Sequence, residues 1–401
     1  MKKSTVILLS TVLCATLANA GKINQVFEAP KDTSSFEKVE FDFKADLTFN
    51  YQMLDQTYTP TSGTAKELQA GLILPTANLD IYAKVMSGFN VKLQTMLSSH
   101  HHNETYVKGG EATIDNLDFI SPDFGASFMK YATIKIGVND INFGDAHFMR
   151  TDNANVFKNP FVHNLAVESY MQAGFIEVLY RIPSYNSIAM IGATNGQVNP
   201  DDVVASSDSS PAPAIYAKVA YDKQLSDALR FRVSESLLHT DGNGNNSLYN
   251  GDKAGTVSRE ILGSDDFGSG WKAMGSYKDL TVSMTNAFVK YNNTELFALL
   301  ELAESNDREM THYSIDLVQR FAGDKFYIAG RYENATVSVD GASADEELTQ
   351  YQLAAGWFFS KNAMAKIEYI NQERENLAVS GRHTAAPAEF DGVMLTAALT
   401  F

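Results

Sequence analysis

The stretch FDFKADLTFNYQ, residues 41–52, alternates without a break. Phe41, Phe43, Ala45, Leu47, Phe49 and Tyr51 form one set; Asp42, Lys44, Asp46, Thr48, Asn50 and Gln52 form the other. A helix would scatter both sets around its circumference, whereas a strand places them on opposite faces. The same grammar closes the chain in DGVMLTAALTF, residues 391–401, with Val393, Leu395, Ala397, Leu399 and Phe401 in one row. A strand near each end, apolar on one face, predicts a sheet that meets its own far edge.

Between these two, alternation recurs in FNVKLQT (89–95), ATIKIGV (132–138), GFIEVLYRI (174–182), AIYAKVAY (214–221) and LRFRVS (229–234). It continues in WKAMGSY (271–277), LTVSM (280–284), HYSIDLVQRF (312–321), KFYIAGRYE (325–333), YQLAAGWFF (351–359) and AKIEYI (365–370). Short links at 183–186, 278–279, 322–325 and 360–363 alternate with long polar ones at 139–171, 195–213, 239–270, 292–310, 334–347 and 371–390. Tyr185, Tyr221, Tyr277, Phe321, Phe326 and Phe359 cluster beside the short links, as an aromatic girdle at a membrane interface would. A secreted sandwich also alternates, but it does not confine tight turns to one end. The reading is therefore all-β: a transmembrane antiparallel up-and-down β-barrel of about 16 strands, with 14 to 18 compatible. In lipid such a sheet must close, because every backbone donor and acceptor needs a partner.

The N-terminal MKKSTVILLSTVLCATLANA has two lysines, an apolar stretch and Ala18-Asn19-Ala20, the layout of a secretory signal cleaved after Ala20. The expected organisation is a signal peptide over 1–20, a short periplasmic lead over 21–40 and a barrel over 41–401. Cleavage would remove Cys14, the only cysteine, and with it any disulfide. The formal charge of −16, made more negative by losing Lys2 and Lys3, argues against nucleic-acid binding, which needs a basic face. No phosphate-binding loop, CxxC pair or H-E-x-x-H helix occurs, so no cofactor is expected.

YQLAAGWFFSKNAMAKIEYI (351–370) carries Trp357, Phe359, Ser360, Lys361 and Tyr369. Together with the signal and Phe401, it resembles the C-terminal hairpin of the Gram-negative outer-membrane porin superfamily, of general or phosphate-selective type. The resemblance implies a water-filled channel for passive diffusion of ions and small hydrophilic solutes, without enzymatic activity. It also implies an integral outer-membrane location among lipid and lipopolysaccharide, and a homotrimer. In porins a long loop folds inward and narrows the pore; here that loop is about 139–171, with Asp140, Asp145, Arg150, Asp152 and Lys158 as constriction candidates. Asn153, Asn155 and Asn159 could bond a solute.

Taking each strand's polar row as lumen-facing gives a basic wall of Lys44, Lys135, Arg181, Lys218, Arg230, Arg232, Lys272, Arg320, Arg331 and Lys366, with Lys92 in the same row. Asp42, Asp46, Glu177, Asp316, Glu333 and Glu368 oppose them. The acid excess is expected in loops such as ELAESNDRE (301–309). Charged rings set ion preference in pores, although any wet lumen tolerates charge. Two other chemistries are weighed. His100, His101 and His102 are metal-ligand types, but adjacent residues of an extended chain point apart. His312, Ser314 and Asp316 share a strand face, at loose spacing for a hydrolase triad. A barrel serving as adhesin, receptor or structural scaffold is the remaining alternative.

Overall fold

In the computed structural model the described residues are 25–401, except 61–62, 74–75, 98–104, 153, 196–211, 244–247, 250–254, 264–270, 276–277 and 377–384. His100, His101, His102, Asn153, Tyr277 and the proposed signal fall outside them. The strands are β1 (Glu40–Thr59), β2 (Gly71–Leu72), β3 (Thr76–Met86), β4 (Phe89–Leu97), β5 (Thr105–Ile114), β6 (Ala132–Asp140), β7 (Gln172–Ile182), β8 (Ser187–Thr194) and β9 (Ile215–Gln224), followed by β10 (Leu229–Asn243), β11 (Lys278–Tyr291), β12 (Thr294–Glu304), β13 (Arg308–Phe321), β14 (Phe326–Val339), β15 (Glu346–Ser360), β16 (Ala363–Glu375) and β17 (Ala385–Thr400). β2 is a two-residue addition to β1. The other sixteen form one closed antiparallel barrel. β1 completes it, pairing through Glu40–Thr48 with β3 and through Asp46–Thr59 with β17.

The C-terminal row now has its explanation. Phe401 N–H donates to the Ala45 carbonyl at 3.0 Å, and Ala45 N–H donates to the Phe401 carbonyl at 2.7 Å. The last residue is thus a ladder partner of β1, which leaves no free edge there.

The outward faces are apolar and exposed: Phe49 and Met53 on β1, Leu300 and Leu302 on β12, Ile315 and Leu317 on β13, Leu353 on β15. Exposed Phe321, Phe326, Trp357 and Phe359 ring the short-turn end, with Phe326 and Trp357 stacked at 5.7 Å. A second ring comes from Tyr313, Tyr332 and Tyr351, in centroid contact at 5.9 and 5.1 Å. Phe321 and Tyr313 are eight residues apart on β13, about 27 Å of strand and about 21 Å along the normal at a tilt of about 40°. That separation suits the hydrocarbon band of a bilayer.

Three sequence expectations are corrected. The described part of the expected strand 271–277, residues 271–275, is not strand: Trp271, Ala273 and Met274 are buried in the loop between β10 and β11, and 278–279 begins β11. Lys272, expected on the wall, therefore lies in that loop. The proposed long loop 292–310 contains β12, so 301–309 is not an acidic loop; Glu301 is fully buried on an inward face. Finally, the short-turn end carries one long link, 115–131, which includes the four-residue helix α1 (Ala126–Met129).

Candidate functional site

The inward faces of β10 to β17 are partly covered from within. The segment 141–171 lies against them, fixed at many points. Early in the segment, Asn142 N–H donates to Glu177, Gly144 N–H to Ser236 Oγ and Asp145 N–H to Asn286 Oδ1. Val156 N–H donates to Asp46 at 3.0 Å. Lys366 donates to the carbonyls of Val156, Asn159 and Phe161 at 2.6, 2.6 and 3.0 Å. Glu368 accepts from Val162 N–H at 2.7 Å and His163 N–H at 3.3 Å, and its carboxylate meets His163 Nδ1 at 2.6 Å. Glu333 accepts from Ala166 and Val167 N–H, both at 2.9 Å. A loop placed indoors needs such partners, because a buried unpaired backbone group costs about as much as a lost hydrogen bond.

Apolar packing completes the seal. Ile141, Phe143, Ala166, Val167 and Met171 pack with Phe288, Phe297 and Leu299 of the wall, and with Trp271 and Met274 of the following loop. Glycines leave room for two tyrosines. A Cβ at Gly356 would lie 2.0 Å from the Tyr327 ring, whose hydroxyl donates to the Pro160 carbonyl at 2.9 Å. Gly192 makes way likewise for Tyr216, which donates to Glu177 at 3.2 Å.

A second segment enters from the N-terminal side. Residues 25–34 run along the short-turn mouth. Glu28 receives both terminal nitrogens of Arg232 at 2.9 and 3.0 Å, and Arg230 donates to the Gln25 carbonyl at 2.6 Å. Phe27 is buried between Phe148 and Phe288, at 5.7 and 5.5 Å. Arg181 donates to the Ala29 carbonyl. Lys31 donates to the carbonyls of Asp115, Met129 and Ala132. Asp32 is 3.0 Å from Lys84. This strap is anchored on β10 at one end and β3 at the other, nearly opposite walls of the barrel. The sequence predicts only a short periplasmic lead over these residues.

Most of the proposed basic wall is engaged in internal pairs. Arg232 and Lys218 converge on Asp145 at 2.8 and 3.1 Å. Arg230 pairs with Asp222, Arg320 with Glu295 and Arg331 with Asp316. Lys135 pairs with Glu111 at 3.2 Å, and Arg181 donates to Thr133. The constriction candidates divide in the same way. Arg150 bridges Glu168 and Asp152 at 2.6 and 2.7 Å, Lys108 pairs with Asp152, and Tyr170 donates to Asp140. Asp145, Arg150 and Asp152 are buried, so they do not face each other across an opening. Burial alone would raise the Asp145 carboxyl; Lys218 and the Arg232 hydrogen bonds outweigh it and hold the group well below the ordinary carboxylate range.

Lys158 is different. It is exposed, while the neighbouring Lys44 and Lys92 are half-buried. Although its side chain meets solvent, surrounding protein displaces bulk water, and Lys44 and Lys92 add repulsion; together they lower its pKa to about 8. A lysine with a lowered pKa is charged below that value and neutral above it. Raising the pH from about 7 to about 9 is therefore expected to reduce preference for anions, read as a shift in reversal potential under a salt gradient. Asp46 on β1 opposes the two lysines, and an unmoved potential would remove Lys158 from the ion path.

His312, Ser314 and Asp316 do not make a triad. His312 lies between Glu301 at 3.0 Å and Glu333 at 3.2 Å, and Asp316 holds Arg331. Glu301, Glu333 and Glu368 and the strap were not among the candidate site residues. Their signal was available for the two later glutamates, which stand as acids in inward rows.

No family model matches the chain, and no curated protein matches it. Solved structures do. The outer membrane channel DcaP of Acinetobacter baumannii is similar with a TM-score of 0.54 at 12% identity, over 92% of this chain and 100% of that one. The anion-selective porin from Comamonas acidovorans is similar with a TM-score of 0.52 at 10% identity, over 91% and 100%. OmpT of Vibrio cholerae, in its trimer form, is similar with a TM-score of 0.50 at 13% identity, over 91% and 100%. At these identities the likeness is one of fold: the chain has the closed sixteen-strand barrel of outer-membrane porins.

Proposed function

We propose that this chain is an outer-membrane porin of a Gram-negative bacterium. It forms a water-filled channel through which ions and small hydrophilic solutes diffuse passively. The observation that carries this reading is the division of the barrel wall: apolar and exposed outside, charged and polar inside, with a long segment narrowing the interior. A barrel of this strand number encloses an aqueous lumen rather than a packed core. On this reading the short-turn end faces the periplasm, residues 1–20 are removed near Ala20, and the protein works as a homotrimer within lipid and lipopolysaccharide.

The strap favours a second reading, a barrel whose mouth is closed and which serves as adhesin, receptor or scaffold. Liposome swelling separates the two. Protein folded into liposomes is expected to admit small neutral sugars, giving swelling rates well above those of protein-free vesicles. Rates equal to the protein-free control would move the weight to the second reading.

A further inference from the structure

We infer that the outward face of β10 and β11 around Glu235 is a contact with a second copy of this chain, and that it meets the tyrosine cluster of β13 and β14 on that copy. The inference rests on the homotrimer proposed above and names the faces that build it. On β10 the buried inward row is Arg232, Ser234, Ser236 and Leu238, so Phe231, Val233, Glu235 and Leu237 form the outward row. Ser283 and Thr285 stand beside it in the outward row of β11 and donate to the two Glu235 carboxylate oxygens at 2.7 and 2.5 Å. Phe231 lies against Tyr221 at 6.4 Å and continues the short-turn ring. Glu235 is four residues further along, about 13 Å of strand and about 10 Å along the normal at a tilt of about 40°. It therefore sits about midway between the two aromatic rings, in the hydrocarbon band. Among the described residues, no other charged side chain lies on an outward row at that depth.

An ionisable group at that depth is costly against lipid, and such groups ordinarily face protein or water. The two hydroxyls do not saturate it. A carboxylate accepts about four hydrogen bonds, and each Glu235 oxygen has one side-chain donor, so lone pairs remain on the outer side. What covers them must bring donors that are themselves at home in a membrane interface. This chain carries such a set in Tyr313, Tyr332 and Tyr351. The Tyr313 and Tyr332 hydroxyls are hydrogen-bonded to each other, which uses one of their two protons and leaves the other to donate. The placement fits a three-fold axis. Three equal barrels touch at two places about 60° apart on each wall, and sixteen strands divide a wall into steps of about 22°. The two contact faces of one protomer thus lie about three strands apart, which is the separation of β10–β11 from β13–β14. Depth agrees as well. Glu235 pairs with Thr285, Thr285 with Leu300 and Leu300 with Tyr313, so the tilt displaces Tyr313 by about 9 Å along the normal over three strand spacings. The combined reach of a tyrosine and a glutamate side chain covers that step. Between the two faces β12 presents exposed Leu300 and Leu302, an apolar centre for the axis. A head-to-tail contact of this kind closes into a ring, and it sets no two Glu235 carboxylates against each other.

The test uses the full chain cleaved after Ala20, which has no cysteine of its own. Register links Leu317 to Phe231 through Leu296 and Val289, so the exposed Leu317 of β13 lies at the depth of Glu235. The double variant E235C/L317C puts one thiol on each face. Within one protomer the two are three strands, about 14 Å, apart, too far for a short bismaleimide to bridge. Treated in the membrane, E235C/L317C should shift on a denaturing gel from the monomer band to bands of two and three protomers, whereas E235C and L317C alone should stay monomeric. The mass of the native protein in mild detergent is measured alongside. A native trimer without those bands in the double variant, or cross-links in either single variant, overturns this pairing of faces. A native monomer removes the homotrimer and this contact together, while the liposome result for the channel stands by itself. The unaltered protein gives a second readout that no misfolded variant can confuse. A lipid-soluble carbodiimide, which modifies carboxyl groups open to lipid, should leave Glu235 unmodified in the trimer by mass spectrometry; modification there overturns the contact.

Discussion

Deleting residues 25–34 is expected to raise single-channel conductance about twofold or more, since conductance follows the narrowest cross-section of a pore. The strap runs along the mouth from β10 past β7 and β6 to β3, and its removal takes away a wedge, Phe27, and a charge, Glu28. None of its residues belongs to the barrel ladder, so the barrel should still fold. Its hold is considerable. Burying Phe27 contributes about 1.5–3 kcal/mol relative to exposure, and the paired Arg232–Glu28 hydrogen bonds add the strength of charge assistance. Spontaneous release should therefore be infrequent, and the deletion should convert a small, quiet conductance into a larger one. The milder F27A is expected to give flickering between the two levels. Conductance unchanged by the deletion would place the strap outside the ion path.

The double variant E333A/E368A is expected to free the inward segment and raise conductance about twofold, with added noise, as a constriction is lost. Each glutamate accepts two backbone N–H groups of the segment. Hydrogen bonds to charged acceptors contribute about 1.5–3 kcal/mol each, and removing the acceptor leaves buried donors unpaired. The glutamine pair E333Q/E368Q keeps an acceptor and should perturb far less. A second readout follows from exposure: trypsin should cut after Arg150 and Lys158 faster in E333A/E368A than in the native protein. Resistance equal to native, with unchanged conductance, would show that Lys366, Tyr327 and the apolar contacts hold the segment without the two acids.

The barrel was legible because its inward face is polar, so alternation survives in sequence. Where loops fill the lumen, that signal fails. On β12 the inward Phe297 and Leu299 pack against the inserted segments, while Leu296 and Leu300 point outward. Both faces are apolar there, so β12 shows no alternation and falls within the expected long link 292–310. Conversely, Trp271, Ala273 and Met274 alternate with polar residues but pack as loop against that same cluster. β3, β5 and β8 likewise carry no quoted alternating segment, so the expected total of about 16 rests on the loops rather than on the strands themselves. The β5–β6 link and the short loop 305–307 show that turn length alone does not mark an end of the barrel.

The charges of the site were visible, but their pairing was not. Arg232 meets Asp145 from 87 positions away, and Lys366 meets Val156 from 210. No local pattern encodes such distances. In the strap, QVFEAPKDTS reads as a polar connector, and its one large apolar residue, Phe27, gives little warning of a buried wedge.

On the proposed reading this barrel conducts through a narrowed lumen in which the exposed Lys158 favours anions. Single-channel recording in a planar bilayer under a KCl gradient tests it most directly. Discrete steps, with a reversal potential favouring chloride over potassium, are the predicted result. Correctly folded protein that yields no steps, or steps that favour potassium, would contradict it.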